Sequence, residues 1–473
     1  MFVILMGGRL YLDYRIEPLI LCSAVIAGFM AWYLRCQWQQ LEEAILNKIN
    51  VAMQGMLIIF SVGCMVGAWM FCGTVPFMVY WGLELVNPNY MLLSAFLICA
   101  LTSCCTGTSW GSAATIGVAM IGIAHGLGIP LAPVAGAALS GCYVGDKLSP
   151  LSDTTNLAPA VAGATTYEHI GHMFYTTIPG TILCCIVFFF ASSSVTGELH
   201  TPAQVQDFMN QLTEIYKLHF LLAVPPLLLI TGSILRWPIL PTIILTTMLS
   251  VALGCLLQGF DLRGGILSTT TGFKVSMTHY LATPTESVQT LLNRGGMMGV
   301  LENMGMLCVA MAFGGIMHGS GMLTVVLQKM LKRVRSDGGL IASTLLSCVV
   351  LCFSTGSAYM GILIPGSLFK ESYLKRRLHP KNLSRALEDS ATMLDGAIPW
   401  ASGAVYMSGV LGVSAFEYVP WMVFNYSSVF IGLACAMLGI GIVKISAEDA
   451  KERLATSQMD TVLIEETPEP VQA

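Results

Sequence analysis

Apolar runs recur along this chain at 19–34, 53–71, 178–191, 218–234 and 421–443. They approach or reach the roughly 20 residues that a helix needs to cross a hydrocarbon layer. Inside lipid every backbone N–H and C=O must find its partner within the protein, so such runs fold as transmembrane helices. Composition agrees. Hydrophobic residues make up 55% and charged residues 11% of the chain, where a soluble domain carries about 25% charged residues. The expected fold class is an all-α polytopic membrane protein. A net charge of −4 and a pI near 6.1 give no support to a nucleic-acid partner. The 15 cysteines are scattered through apolar runs without a Cys-x-x-Cys pair; they read as small buried hydrophobes, with no disulfide or metal site expected. The 28 methionines are spread evenly and read as packing.

Two polar strings interrupt the apolar background. One is Gly145-Asp-Lys-Leu-Ser-Pro-Leu-Ser-Asp-Thr-Thr155, the other Leu383-Ser-Arg-Ala-Leu-Glu-Asp-Ser-Ala-Thr392. Each follows a hydroxyl- and glycine-rich stretch, Thr106-Gly-Thr-Ser-Trp-Gly111 and Thr355-Gly-Ser-Ala-Tyr-Met-Gly361. Matching by residue type sets Asp153 against Asp389 and implies two similar halves. The expected segments are an N-terminal piece 1–16, a first repeat 17–197, an extracellular polar loop 198–217, a second repeat 218–445 and a disordered cytoplasmic tail 446–473.

Basic residues test the topology. If 90–125 and 339–370 are re-entrant hairpins, then 35–49, 235–237, 319–338, 370–385 and the tail share a side. Sixteen of the 23 Lys and Arg then lie there and six on the other side, with Lys147 within the membrane. The basic side is cytoplasmic, which puts the C-terminus in the cytoplasm of a multi-pass cell-membrane protein. An odd number of crossings separates the two halves, making them inverted repeats with broken transmembrane helices, an architecture of secondary transporters.

The polar strings carry the chemistry. Backbone that leaves a helix at membrane depth survives where it lines a buried or watery site. The hydroxyls of Thr106, Thr108 and Ser109, with the carbonyls freed near Gly107, are oxygen donors suited to a small cation. Pro150 should break its helix and free the Asp146 carbonyl. Asp153, Ser149, Thr154 and Thr155 would surround the break, and Lys147 would pair with Asp146 or Asp153 or hold the charge balance. Glu388, Asp389 and Thr392, with Thr355 and Ser357, supply the counterpart; Glu388 and Asp389 could instead cap a helix at the cytoplasmic surface. Asp395, near Pro399, is a further acidic candidate. His125 and His318 read as interfacial, His169 and His172 as loop residues, Glu84 as interfacial.

These motifs, together with Ile398-Pro-Trp400, resemble the NhaC-type Na⁺/H⁺ antiporters over about 17–445. One departure is the N-terminus, where 1–10 stands in place of a full helix. The resemblance implies an elevator-type transporter, often a homodimer, that exchanges Na⁺ for H⁺ and has no cofactor besides the transported ions. It also admits Na⁺- and H⁺-coupled malate/lactate exchange. In the exchange reading Asp153 and Asp389 titrate, assisted by Asp146 and Glu388, and Na⁺ sits at Asp153, Thr106 and Thr108. Removal from water disfavours the charged form of a carboxyl, so a proton and Na⁺ compete for it. No Ser-His-Asp set, His-Glu-x-x-His motif or P-loop points to an enzyme or a nucleotide-driven pump. A channel would show rings of like groups about a continuous pore.

Overall fold

The computed structural model describes residues 16–195, 201–332 and 334–455. Among these residues the chain is helical, with one isolated antiparallel bridge between Leu378 and Lys444. Among the described residues seven helices are long and apolar enough to cross a membrane, or nine if two bent pairs each count as one span. The long helices Trp38–Cys72 and Leu301–Gly319 pack on each other and on Ile16–Tyr33 and Ile239–Leu253, forming one side of the molecule. The other side holds two hairpins and two interrupted helices, and the functional candidates lie there.

The first hairpin runs from Met91–Thr106 into Ser109–Leu127. Gly107 makes the reversal. At φ 72° it takes the left-handed conformation, and its N–H closes on the Ser103 carbonyl. A side chain would be strained there, and a Cβ would lie 2.3 Å from Leu151 Cβ. Thr108 then caps the return helix, its hydroxyl accepting from the Gly111 N–H. The second hairpin repeats the device. Asp337–Thr355 ends at Gly356, φ 61°, and Ala358–Lys375 returns. The two arms are tied where the Thr344 and Tyr373 hydroxyls meet at 3.0 Å.

Each hairpin is followed by an interrupted helix. Leu131–Leu148 stops before Pro150, and the chain restarts as Asp153–Ala162. The expected break is present, and the Asp146 carbonyl that Pro150 releases accepts the Thr155 hydroxyl. Gly141 and Gly145 form the face against Met91–Thr106: a Cβ at either would fall within 2.2 Å of backbone atoms of Phe96 or Ser103. Small residues on a helix face permit this approach in membranes. The second interrupted helix begins at Pro380, passes through a wide, π-type turn over Glu388–Thr392, and ends at Asp395. It resumes as Ser402–Leu411. Such a turn breaks the i→i−4 ladder and recurs at functional positions.

Several expectations are corrected. The loop 198–217 contains a helix, Pro202–Ile215, started by a capping box between Thr201 and Gln204. His169 and His172 are not in a loop; they are buried in the helix Thr166–Val195. The tail is helical over 447–455, where Arg453 donates to the Gly163 carbonyl and to Asp449. The readings for 1–15 and 456–473 lie outside the described residues.

Candidate functional site

Asp146 lies at the first break, 8% exposed. Its Oδ1 accepts from the Ser109 N–H at the hairpin tip, at 3.3 Å, and from the Ser152 hydroxyl, at 3.1 Å. The Ser109 hydroxyl is buried and turns toward the same carboxylate without reaching bonding geometry. A carboxylate, a hydroxyl and a hairpin amide therefore meet where the helix is interrupted.

The same arrangement occurs at Asp395, also 8% exposed. Its Oδ1 accepts from the Ser402 hydroxyl at 3.2 Å, and the backbone amides of Ala358 and Gly403 face the carboxylate. Ala358 follows the tip of the second hairpin as Ser109 follows that of the first. One constant sequence separation relates Gly107 to Gly356, Ser109 to Ala358, Asp146 to Asp395, Pro150 to Pro399 and Gly163 to Gly412. By that spacing Asp146 lines up with Asp395, where matching by residue type had set Asp153 against Asp389. Tyr143, one turn before Asp146, places a buried hydroxyl without a partner beside Gly396 and Gly403, next to Asp395.

A buried charge cluster forms around Lys147, the residue after Asp146. Lys147 is fully buried, and its Nζ is 2.6 Å from Asp389 Oδ1, 2.6 Å from Ser428 Oγ and 3.2 Å from Thr176 Oγ1. Asp389 Oδ1 also accepts from Thr176 at 2.8 Å and from Ser428 at 3.1 Å. The expected partners of Lys147, Asp146 and Asp153, are thus replaced by a residue of the second interrupted helix. Arg385, 1% exposed, brings Nε to 3.9 Å from Asp389 Oδ2, while its Nη2 has no hydrogen bond. Glu388 is fully buried with neither carboxyl oxygen hydrogen-bonded. Thr154 and Thr392 turn toward it without reaching bonding geometry, and the Thr392 hydroxyl is itself unpartnered. The surface-cap reading of Glu388 and Asp389 is therefore overturned.

The remaining expected residues sort by position. Asp153 opens the restarted helix and is exposed, not buried as its titrating role presumed. Thr154 shares a 3.2 Å hydrogen bond with Ser152. Ser149 accepts from the Leu151 N–H. Thr106 pairs with Ser112 at 3.0 Å, and Thr108 serves as the helix cap. The Thr355 hydroxyl is spent on Leu351 of its own helix, and Ser357 is buried at the second tip, its carbonyl receiving the Cys352 thiol. Thr176, Ser428 and Tyr143 were not anticipated, because each reaches its carboxylate from a helix distant in sequence; Arg385 was not anticipated either, although it lies one turn before Asp389 in the same helix. Among the described residues no three His, Cys, Asp or Glu side chains converge as a metal cage; each centre offers one carboxylate with hydroxyls and amides.

The profile of the Na⁺/H⁺ antiporter family matches residues 141–440, covering the first interrupted helix from Gly141 onward, the second hairpin and the second interrupted helix. The chain is 40% identical over 94% of its length to an uncharacterized Na⁺/H⁺ antiporter of Haemophilus influenzae, covering 95% of that protein. It is 33% identical to the Na⁺/H⁺ antiporter NhaC of Alkalihalophilus pseudofirmus, over 90% of this chain and 91% of the other. It is also 33% identical to a malate-2H⁺/Na⁺-lactate antiporter of Bacillus subtilis, over 91% and 90%. With the matched region spanning the centres at Asp146 and Asp395, the chain belongs to the Na⁺/H⁺ antiporter family.

Proposed function

We infer that the protein is a secondary transporter that exchanges Na⁺ for H⁺ by alternating access. The observation that carries this reading is Asp146 at a helix break, held by a hairpin amide and a hydroxyl and matched at equal spacing by Asp395. A carboxylate removed from water needs a cation or a proton beside it. Binding of one excludes the other, so release of Na⁺ on one side and of H⁺ on the other gives exchange without a nucleotide. The carbonyls and hydroxyls around Gly107, with Ser109 and Ser152, supply neutral oxygens to the ion at Asp146. Asp153, exposed at the start of the restarted helix, receives the ion on its way in. Glu388, whose oxygens have no partners, is the group whose charge depends most on a cation beside it. The Lys147–Asp389 pair holds the two interrupted helices together and keeps the charge of the cluster low.

We read the two hairpin-and-interrupted-helix units as inverted repeats, supported by their constant spacing and matching hydrogen bonds. They form the moving body of an elevator that travels against the long-helix side, in a homodimer of the cell membrane with a cytoplasmic C-terminus. The basic-residue count supports that orientation.

The test is transport by the reconstituted protein under imposed pH and Na⁺ gradients, with and without lactate and malate. Asp146→Asn is expected to abolish Na⁺-dependent proton movement. Asp395→Asn is expected to reduce it strongly, and Asp153→Asn to shift only the apparent Na⁺ affinity. Wild-type exchange by Asp146→Asn would reject the assignment. Exchange that requires lactate or malate would replace the reading with coupled organic-acid exchange.

A further inference from the structure

A cavity of about 320 Å³ lies away from the carboxylate centres, between the helix Trp38–Cys72 and the end of Ser402–Leu411. It is lined by Arg294, Lys274, Asn293 and a group of glycines, and no acidic residue lines it among the described residues. Its floor is irregular backbone. Gly272, Gly295 and Gly296 all have positive φ, between 82° and 90°, a conformation that costs other residues dearly. The Gly296 N–H donates to the Gly63 carbonyl at 2.7 Å, and the Phe273 N–H to the Arg294 carbonyl at 3.2 Å. A Cβ at Gly295 would fall 2.4 Å from the Gly67 nitrogen. Gly63 and Gly67 belong to a candidate span, Ala52–Cys72, so this loop reaches membrane depth. Irregular backbone at that depth is tolerated where it lines a water-filled cavity.

Arg294 stands on this floor with its main chain fixed from two sides. Its guanidinium lies over Gly412, where a Cβ would come within 2.5 Å of Nη2. No hydrogen bond or ion pair engages that guanidinium among the described residues. An unpaired cation at membrane depth is expensive and marks a functional position. Lys274, exposed, adds a second positive charge on the cavity wall. The planar fork of a guanidinium matches a carboxylate, to which it can give two parallel hydrogen bonds. The cavity has room for a small organic acid.

We propose that this cavity binds a small carboxylate anion, held by Arg294 and drawn in by Lys274. On the orientation proposed above it opens on the outer side. The site is separate from the cation centres, so carboxylate binding does not require the Na⁺/H⁺ reading to be correct.

The test uses the full-length protein in detergent, in a buffer with a bulky sulfonate as its anion and no ion gradient. Lactate, malate and chloride are titrated at matched ionic strength, and binding is read by calorimetry and by thermal protection. Lactate or malate is expected to bind saturably, and Arg294→Gln to weaken that binding about tenfold or more. Lys274→Glu, at an exposed position that leaves folding intact, is expected to weaken it several-fold. Both variants are expected to keep gradient-driven Na⁺/H⁺ exchange measured without carboxylate. Absence of saturable carboxylate binding would overturn the proposal. So would equal protection by chloride, or wild-type affinity in Arg294→Gln or in Lys274→Glu. Unchanged affinity in both variants would leave Arg294 as a positive charge balancing the C-terminal dipole of Ser402–Leu411.

Discussion

Lys147 Nζ lies 2.6 Å from Asp389 Oδ1, and the two residues are 242 positions apart in sequence. This fully buried pair joins the first interrupted helix to the second. Removing one member of such a pair leaves an uncompensated buried charge, at a cost of about 3–5 kcal/mol. Lys147→Ala is therefore expected to lower the melting temperature sharply in detergent, as is Asp389→Ala. The double variant Lys147→Met/Asp389→Leu should recover part of that loss, because neither Lys147 nor Asp389 is then stranded, while the buried Arg385 loses its ion-pair partner. A Lys147→Ala variant that melts like the wild type would show that Arg385, or water, compensates Asp389.

Glu388 offers the contrasting case. Neither of its oxygens makes a hydrogen bond in the fold, so Glu388→Gln removes no folded-state partner. Its melting temperature is expected to stay close to that of the wild type, within the change from about 1 kcal/mol. Transport should respond instead, because glutamine cannot exchange a proton. The pH profile of Na⁺ flux is expected to flatten or shift, measured in proteoliposomes between about pH 6 and 9. A stable variant with an unaltered profile would remove Glu388 from the exchange.

The parts of this architecture that were legible in the sequence are those set by local chemistry. Pro150 and Gly107 each force a backbone event within a few residues, so the break and the hairpin tip could be located from their neighbours alone. The pairing of Asp146 with Asp395 was also present in the sequence, in the shared spacing to Gly107 and Gly356 and to Pro150 and Pro399. Matching by residue type hid it, because Leu-Ser followed by Asp-Thr in one string and Asp-Ser in the other sets Asp153 against Asp389. The partner of Lys147 was not legible. It depends on how two helices from different halves of the chain cross, and adjacent charges such as Asp146 and Lys147 point about 100° apart on a helix. Asp153 shows the same limit: its neighbours suggested depth, but the restarted helix turns it outward.

The hairpin tips should differ in their tolerance of a methyl group. Gly107 and Gly356 both have positive φ, so alanine costs about 1–2 kcal/mol at either. At Gly107 the new Cβ would also meet Leu151 Cβ at 2.3 Å, whereas at Gly356 the nearest atoms are 3.1 Å away. Gly107→Ala is therefore expected to be more destabilising than Gly356→Ala and to displace the 150–152 linker that carries Ser152. The apparent Na⁺ affinity should fall with it. Melting curves and Na⁺ titrations of the two variants check the order; equal effects would mean that the linker yields without strain.

His379 gives a pH dependence outside the transport site. It sits in the turn before Pro380, where its Nδ1 accepts the Lys381 N–H and its Nε2 lies 3.5 Å from Glu168. Protonation of Nδ1 would break that cap. Burial holds the imidazole below its ordinary pKa, against the opposing pull of Glu168. The folded state therefore binds fewer protons than the unfolded chain near pH 6.5, so the contribution is present above about that pH and is lost as pH falls below it through the lower folded pKa. Between about pH 7.5 and 5.5 the wild type should lose more melting temperature than His379→Gln, which cannot take up the proton. Equal losses would assign the acid sensitivity to other groups and leave His379 as a helix cap alone.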